Sequence, residues 1–127
     1  MYQLKHFKID EFKCPCCGQV HMNEAFIKAL DYARDLAKIP FVVVSGYRCP
    51  KHNAEVGGVP DSAHTKGMAA DIRCENSSDR FIMIEAARAA GIKRIGIGEN
   101  FLHFDIDPSK PQRVMWTYYK ELKRSKR

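Results

Sequence analysis

Two histidines and one aspartate occupy positions from which they could bind a catalytic metal ion. His64 precedes Asp71 by seven residues, and His103 lies in a separate segment, Phe101–Asp105. Two imidazoles and a carboxylate suit catalytic zinc, which keeps its fourth position for water. The spacing fits a loop that turns into a strand better than neighbouring positions on a helix, which are three or four residues apart. The pattern predicts a metal-dependent hydrolase with one Zn²⁺ bound by His64, Asp71 and His103.

Two further side chains belong to the predicted surroundings of these ligands. Residues two apart in a strand share a face, so Asp105 should point the same way as His103. A buried polar pair on an apolar strand must be paired or metal-bound, because unpaired buried charge is costly. Ser62 could hydrogen-bond within its loop and orient His64, although a simple turn hydroxyl is an equally good interpretation.

The first half of the chain predicts one helix and two strands. Asn23 is a suitable N-cap for a helix from Glu24 to about Lys38, with apolar residues at helical spacing. The β-branched run at residues 41–45 predicts a short buried strand, and residues 68–73 predict a second strand that carries Asp71.

The second half predicts a helix followed by a hairpin. Ser77 or Ser78 should cap the helix, Gly91 should end it, and Phe81 should lie on its buried face. Residues 94–98 and 102–106 predict two strands joined by a tight turn, after which Trp116 starts an extended or helical segment that packs back on the body. The predicted fold class is therefore α+β, a small and mostly antiparallel sheet flanked by helices.

Length and charge limit the classes of function. The 127 residues predict a single domain over residues 1–127, with a basic tail from about residue 120, and the formal net charge is +6. A basic protein attracts polyanions, but a solvated terminus is the favoured interpretation of the tail, and nucleic acid is the least favoured partner. The sequence lacks a secretory signal and a run long enough to span a bilayer, so we expect a monomer made in the cytoplasm without membrane insertion.

The five cysteines are an odd set, which favours reduced thiols over a disulfide framework. The segment Cys14–Gly18 resembles a zinc knuckle. A structural site normally needs two such pairs, however, and the other candidate ligands are scattered along the sequence, so a tight turn over packed thiols is the favoured interpretation. The scattered candidates are His21, Cys49, His52 and Cys74.

Five motifs in register, spread over nearly the whole chain, resemble the M15 peptidase family. They are residues 45–50, 52–53, 56–58, 62–71 and 96–105. The resemblance is to the zinc D-alanyl-D-alanine carboxypeptidase-like branch common in phages and prophages, as in endolysins, and it implies the fold of hedgehog and D-Ala-D-Ala peptidases. It also implies zinc held by His64, Asp71 and His103, and a place for Arg48 in the substrate cleft, where a guanidinium fork would suit a carboxylate.

The same resemblance implies a peptidoglycan stem peptide as the substrate, cut at a D-amino-acid bond by a carboxypeptidase or an endopeptidase after the enzyme reaches the cell wall. The wider family often places its general base three residues before the last histidine ligand, where this chain has Asn100. Asp105 is then the favoured base and Glu99 the alternative. Because Asn100 cannot serve, a weakly active or inactive wall-peptide-binding module, such as a virion part, is the alternative function.

Overall fold

The computed structural model describes residues 3–118, in which a five-stranded sheet packs against helices. The strands are β1 (Val43–Ser45), β2 (Ala69–Arg73), β3 (Arg94–Ile97), β4 (Phe101–Asp105) and β5 (Val114–Thr117). The α-helices over this range are α1 (Glu24–Ala37), α2 (Pro50–Glu55) and α3 (Ser77–Ala89), and two 3₁₀ helices span Ile9–Phe12 and Ala63–Lys66. None of the helices between residues 3 and 118 has the length and hydrophobicity needed to cross a membrane.

The sheet has the strand order β1-β2-β4-β3-β5 and two chemically different faces. All neighbouring strands are antiparallel except β3 and β5, which are parallel. Alternate residues of the central strands, including Ile72 and Phe104, join the hydrophobic core. The residues between them, such as Asp71 and His103, point to the other face, because side chains alternate along a strand. The predicted α+β class with a mostly antiparallel sheet is confirmed.

Helix α1 begins where the sequence predicts. The Asn23 side chain accepts a hydrogen bond from the amide of Phe26, and the helix ends at Ala37, where Lys38 takes a left-handed conformation. Phe26 and Leu30 on its inner face are fully buried and belong to the core. This helix therefore covers the apolar face of the sheet.

Helix α3 has a different cap and a different buried face from those predicted. Asn76, rather than Ser77 or Ser78, accepts the hydrogen bond from the amide of Asp79. Phe81 is 68% exposed, whereas Met83, Ala86 and Ala87 are buried. Apolar residues occur on several sides of this helix, so periodicity does not select one face, and the small alanines allow the close approach to α1.

Strand β1 is shorter and less buried than predicted. It covers Val43–Ser45 at the edge of the sheet, and Val42 and Val44 are half exposed. Val43 packs against the core, so its chain neighbours Val42 and Val44 point to the opposite face of the sheet, where they meet solvent although they are β-branched. The segment that contains Trp116 is extended and forms β5. Tyr119 and the basic tail lie outside the described residues.

Candidate metal centre and substrate cavity

The three candidate metal ligands come from two strands and one 3₁₀ helix. Asp71 of β2 lies directly opposite His103 of β4 in the antiparallel register. His64 belongs to the 3₁₀ helix Ala63–Lys66, where the Ser62 hydroxyl accepts a hydrogen bond from the His64 amide at 3.1 Å. Gly67 ends this turn at a φ of +71°, which favours glycine. The structure thus brings together the three residues that the sequence singled out.

One nitrogen of each histidine is committed to a partner on the side away from Asp71. Nδ1 of His64 lies 2.8 Å from the carbonyl oxygen of Gly46, and Nε2 of His103 lies 2.6 Å from Oδ2 of Asp105. Both partners accept hydrogen bonds, so these nitrogens carry protons. In the neutral rings, the lone pairs are then on Nε2 of His64 and Nδ1 of His103.

Those two lone-pair nitrogens face one carboxylate oxygen. Oδ1 of Asp71 is 3.3 Å from Nε2 of His64 and 2.9 Å from Nδ1 of His103, and the three groups can offer ligand atoms that all lie within 4.8 Å of one another. All three residues are buried. Three electron-pair donors converging in a buried place need a positive charge between them, which is the chemistry of a divalent cation site.

The pKa values of Asp71 and His103 shift in directions that favour a positive charge between these groups. Burial raises the pKa of Asp71, but its interactions with the imidazoles of His103 and His64 outweigh burial and hold that pKa well below its usual range. Burial lowers the pKa of His103, but hydrogen bonds to Asp105 and Asp71 reverse this and raise it. A metal ion bound at Nδ1 of His103 would take the place of the second proton that the raised pKa favours.

Asp105 is held between a histidine and an arginine. Its Oδ1 accepts a hydrogen bond of 2.7 Å from Nε of Arg94, while Oδ2 faces His103. Burial raises the pKa of Asp105, yet the hydrogen bond with His103 and the charge of Arg94 lower it overall. Asp105 therefore stays ionised and acts as the hydrogen-bond partner of His103, an arrangement that fixes ligand orientation in metal sites.

Arg48 lies on the other side of Asp71. Its Nη2 is 3.5 Å from Oδ2 of Asp71, its Nη1 is 3.2 Å from the side-chain oxygen of Asn53, and its Nε is 3.1 Å from the Ser45 hydroxyl. The Arg48 amide also donates to the carbonyl of His64 at 3.2 Å, which joins the two loops. The guanidinium is thus positioned by fixed partners beside the metal ligands.

A cavity of about 370 Å³ opens above these groups. Arg48, Ser62 and Asp105 line it together with the three candidate ligands. Glu99 does not belong to this lining and is exposed in the turn between β3 and β4. Of the two carboxylates predicted as candidates for the base, only Asp105 therefore reaches the cavity.

The lining also contains residues for which the sequence predicts no site role, among them Arg94, Lys110, Trp116 and Tyr118. The Trp116 ring centroid lies 5.6 Å from that of His103, and the Arg94 guanidinium lies 4.8 Å from the centroid of the Trp116 ring. The parallel pairing of β5 with β3 brings the aromatic residues here. Their alternation, as residues 116 and 118, is the signal in the sequence that could have placed them on one face.

Comparison with known proteins identifies a family for most of the chain. The family model described as Peptidase M15 matches residues 5–107, a range that contains all three candidate ligands and Arg48. No curated protein matches the chain.

Proposed function

The chain belongs to the peptidase M15 family, and from this membership and the geometry of the site we propose that the protein is a zinc-dependent peptidase. His64, Asp71 and His103 would hold the zinc ion. The observation that carries this proposal is the convergence of Nε2 of His64 and Nδ1 of His103 on one oxygen of Asp71 in the lining of a cavity. Bound zinc would polarise the scissile carbonyl and activate water for hydrolysis.

The donor set supports zinc over the hard divalent cations. Two imidazoles and a carboxylate match catalytic zinc sites, whereas Ca²⁺ and Mg²⁺ prefer oxygen ligands. Ser62 would hold the turn that carries His64, through the hydrogen bond to the His64 amide. Gly46 and Asp105 would fix the two rings through their distal nitrogens, as the partners of zinc-bound histidines commonly do.

We assign Asp105 the task of positioning His103, rather than that of the general base. The two nitrogens of His103 lie on opposite sides of its ring, so the ring separates Asp105 from the metal position. Both oxygens of Asp105 are already hydrogen-bonded, and its lowered pKa makes it a weak proton acceptor.

The substrate proposed is a peptide with a free or side-chain carboxylate, of the class found in the D-amino-acid-containing stem peptides of peptidoglycan. Arg48 and Lys110 line the cavity and add positive charge beside the ligands. Arg48 presents a planar fork that suits a carboxylate, and its three partners hold that fork in place. The D-alanine or D-glutamate specificity rests on the M15 resemblance of the motifs, and delivery to the cell wall is part of the same proposal.

The test is the replacement of His64 by Ala in purified protein. Loss of a ligand should remove stoichiometric zinc from this site and abolish release of D-alanine or of new amino groups from purified peptidoglycan. His6→Ala is the matched control, because His6 pairs with Asp35 at 3.0 Å, at the surface and away from the cavity. Undiminished hydrolysis by the His64→Ala protein would refute the proposal.

A second candidate function is a wall-peptide-binding module with little or no turnover. The observation that favours it is the state of the carboxylates that line the cavity, since Asp71 is a candidate ligand and Asp105 is fully hydrogen-bonded. Within residues 3–118, this leaves the cavity lining without an unengaged carboxylate for proton transfer. Zinc-dependent binding of muropeptide without any cleavage product would establish this function in place of the peptidase.

A further inference from the structure

Two cysteines that are close together in the sequence and a third from a distant segment meet at one place in the fold. The thiols of Cys14, Cys17 and Cys49 lie within 4.8 Å of one another. Cys14 is buried, Cys49 is partly buried and Cys17 is exposed, so the cluster reaches from the interior to the surface. The Cys16 thiol also interacts with that of Cys49. No disulfide joins any of them.

The backbone around the cluster turns tightly and directs amide groups at the sulfur atoms. The Gly18 amide donates to the carbonyl of Cys14 at 2.8 Å, and Gly18 has a φ of +74°, so the chain reverses tightly between Cys14 and Cys17. Amide groups point at the sulfurs, with Cys49 N 3.5 Å from Sγ of Cys14 and His52 N 3.4 Å from Sγ of Cys49. Amide donors stabilise negatively charged sulfur.

The Cys14 thiol differs from those of Cys16 and Cys17 in the direction of its pKa shift. Burial raises the pKa of Cys14, but amide hydrogen bonds from Cys49, Cys17 and Cys16 outweigh it and bring the pKa to about 7. Burial raises the pKa of the Cys16 thiol, and interaction with Cys49 raises it further. A hydrogen bond from the Gln19 amide lowers the pKa of Cys17, but burial and interactions with Cys14 and Cys49 outweigh it and raise that pKa overall. One negative sulfur therefore disfavours the next, and a cation in the middle would remove that repulsion.

We propose that Cys14, Cys17 and Cys49 form a second, structural zinc site, distinct from the site of His64, Asp71 and His103. The Cys-x-x-Cys spacing of Cys14 and Cys17 is that of structural zinc sites, and the third thiol arrives from the loop after β1. Each thiol that binds the metal releases its proton to solvent. The Cys16 thiol, which interacts with that of Cys49, is the sulfur that we assign to the fourth position.

Such a metal would join the N-terminal segment to the loop that carries Arg48. Cys49 follows Arg48 directly, and the two segments already meet where the Tyr47 amide donates to the carbonyl of Phe12 at 2.8 Å. Gly46 fits closely against Phe12, where a Cβ would come within 2.6 Å of the Phe12 backbone. A thiolate-bound zinc ion would therefore fix the position of the loop that carries Arg48, a residue that lines the substrate cavity.

Cobalt substitution tests this proposal on the full-length chain. Apo-protein prepared under reducing conditions should bind two Co²⁺ ions, and one of them should produce a thiolate-to-cobalt charge-transfer band in the near ultraviolet. The site of His64, Asp71 and His103 contains no sulfur, so it cannot produce this band. The His64→Ala protein should therefore keep the band and lose one equivalent of cobalt, whatever becomes of the peptidase proposal.

Cys17→Ser should have the opposite effect, with loss of the charge-transfer band and retention of the other equivalent of metal. Cys74→Ser is the matched control, because Cys74 is a buried cysteine outside the cluster and its replacement should leave the band unchanged. Absence of the band from the reduced wild-type protein would overturn the proposal. So would a disulfide between Cys14 and Cys17 in protein purified without oxidant, detected as the loss of two thiols in a titration of the denatured chain.

Discussion

At the scale of single residues, the polar groups of the site differ in how far the sequence determines them. The shared face of His103 and Asp105 follows from strand periodicity, so it can be predicted from their spacing alone. The hydrogen bond between Arg94 and Asp105 cannot be predicted in this way, because it depends on the register of β3 against β4, which places Arg94 opposite Asp105. Spacing within a strand is a local property, whereas register depends on the turn and on packing.

Asp105→Asn tests the difference between positioning and proton transfer. If Asp105 positions His103, zinc affinity should fall about 10-fold to 100-fold, and excess zinc should restore much of the activity. Zinc titration and peptidase assays at low and high zinc measure both effects. Glu99→Gln should change neither, because Glu99 is exposed and outside the cavity lining. A fall in kcat at saturating zinc, with zinc affinity unchanged, would instead identify Asp105 as the base.

Asp107 supplies a residue-scale prediction about stability and pH. It is 1% exposed and lies 2.8 Å from Nζ of Lys66. Burial raises its pKa, but hydrogen bonds from Lys66 and Ser109 outweigh burial and hold that pKa well below its usual range. Asp107→Asn should lower the free energy of unfolding at neutral pH by about 2 kcal/mol, since it removes a hydrogen-bonded buried charge.

The pH dependence follows from the lowered pKa. The ionised Asp107 stabilises the fold fully above the unfolded-state pKa of about 4, and this stabilisation is lost as the pH falls towards the folded-state value. Urea unfolding at several pH values should show the gap between wild type and Asp107→Asn narrowing below about pH 4. Asp61→Asn, at an exposed position, is the control. A gap of the same size at pH 7 and in strong acid would contradict this account.

At the scale of elements, β5 is the clearest case of a structure that local patterns underdetermine. The sequence predicts an extended or helical segment here, and the structure pairs it with β3 in parallel. A parallel partner must be reached by a crossover connection, so no tight-turn signal marks the pairing in the sequence. Helix α1, by contrast, has its own cap and a single apolar face, and its position could be predicted within one residue at its end.

Gly96 of β3 packs against Trp116 and Tyr118, which form the aromatic wall of the cavity. A Cβ at this position would lie 2.6 Å from the Tyr118 ring and 2.8 Å from Nε1 of Trp116. Gly96→Ala should therefore push the aromatic residues away from His103, destabilise the fold by about 1–3 kcal/mol and raise KM for the peptide. Chemical denaturation and steady-state kinetics measure the two effects.

A double variant isolates the cause of this effect. In a Trp116→Ala background, the space beside residue 96 is larger, so the additional cost of Gly96→Ala should be smaller than in wild type. Additive costs of the two changes would show that the Trp116 ring is not what opposes the methyl group.

At the scale of the whole molecule, the class of fold and the three candidate ligands could be predicted, but the cysteine cluster could not. The candidate ligands lie in sequence motifs whose order along the chain resembles that of the M15 family. Cys49, in contrast, is separated from Cys14 by the whole of α1 and β1, and the packing of the N-terminal segment against residues 46–47 brings them together. Contacts between segments distant in sequence require the complete tertiary structure.

Metal removal should lower the stability of the whole domain. A ligand that binds only the folded state at 1,000 times its Kd stabilises that state by about 4 kcal/mol. For a chain of this size, loss of that binding corresponds to a fall in Tm of roughly 10–20 °C. Thermal unfolding with and without a chelator measures the difference, and added zinc, but not magnesium, should restore Tm. The His64→Ala protein should respond less to the chelator, and an equal response would contradict a contribution from His64.

The position of β5 also affects the order in which the protein matures on the ribosome. Synthesis proceeds from the N-terminus, so His64, Asp71 and His103 leave the exit tunnel before Val114–Thr117. Until β5 is added, β3 lacks its parallel partner and His103 lacks its aromatic neighbour Trp116. The candidate metal ligands are therefore synthesised before the aromatic residues that line the same cavity.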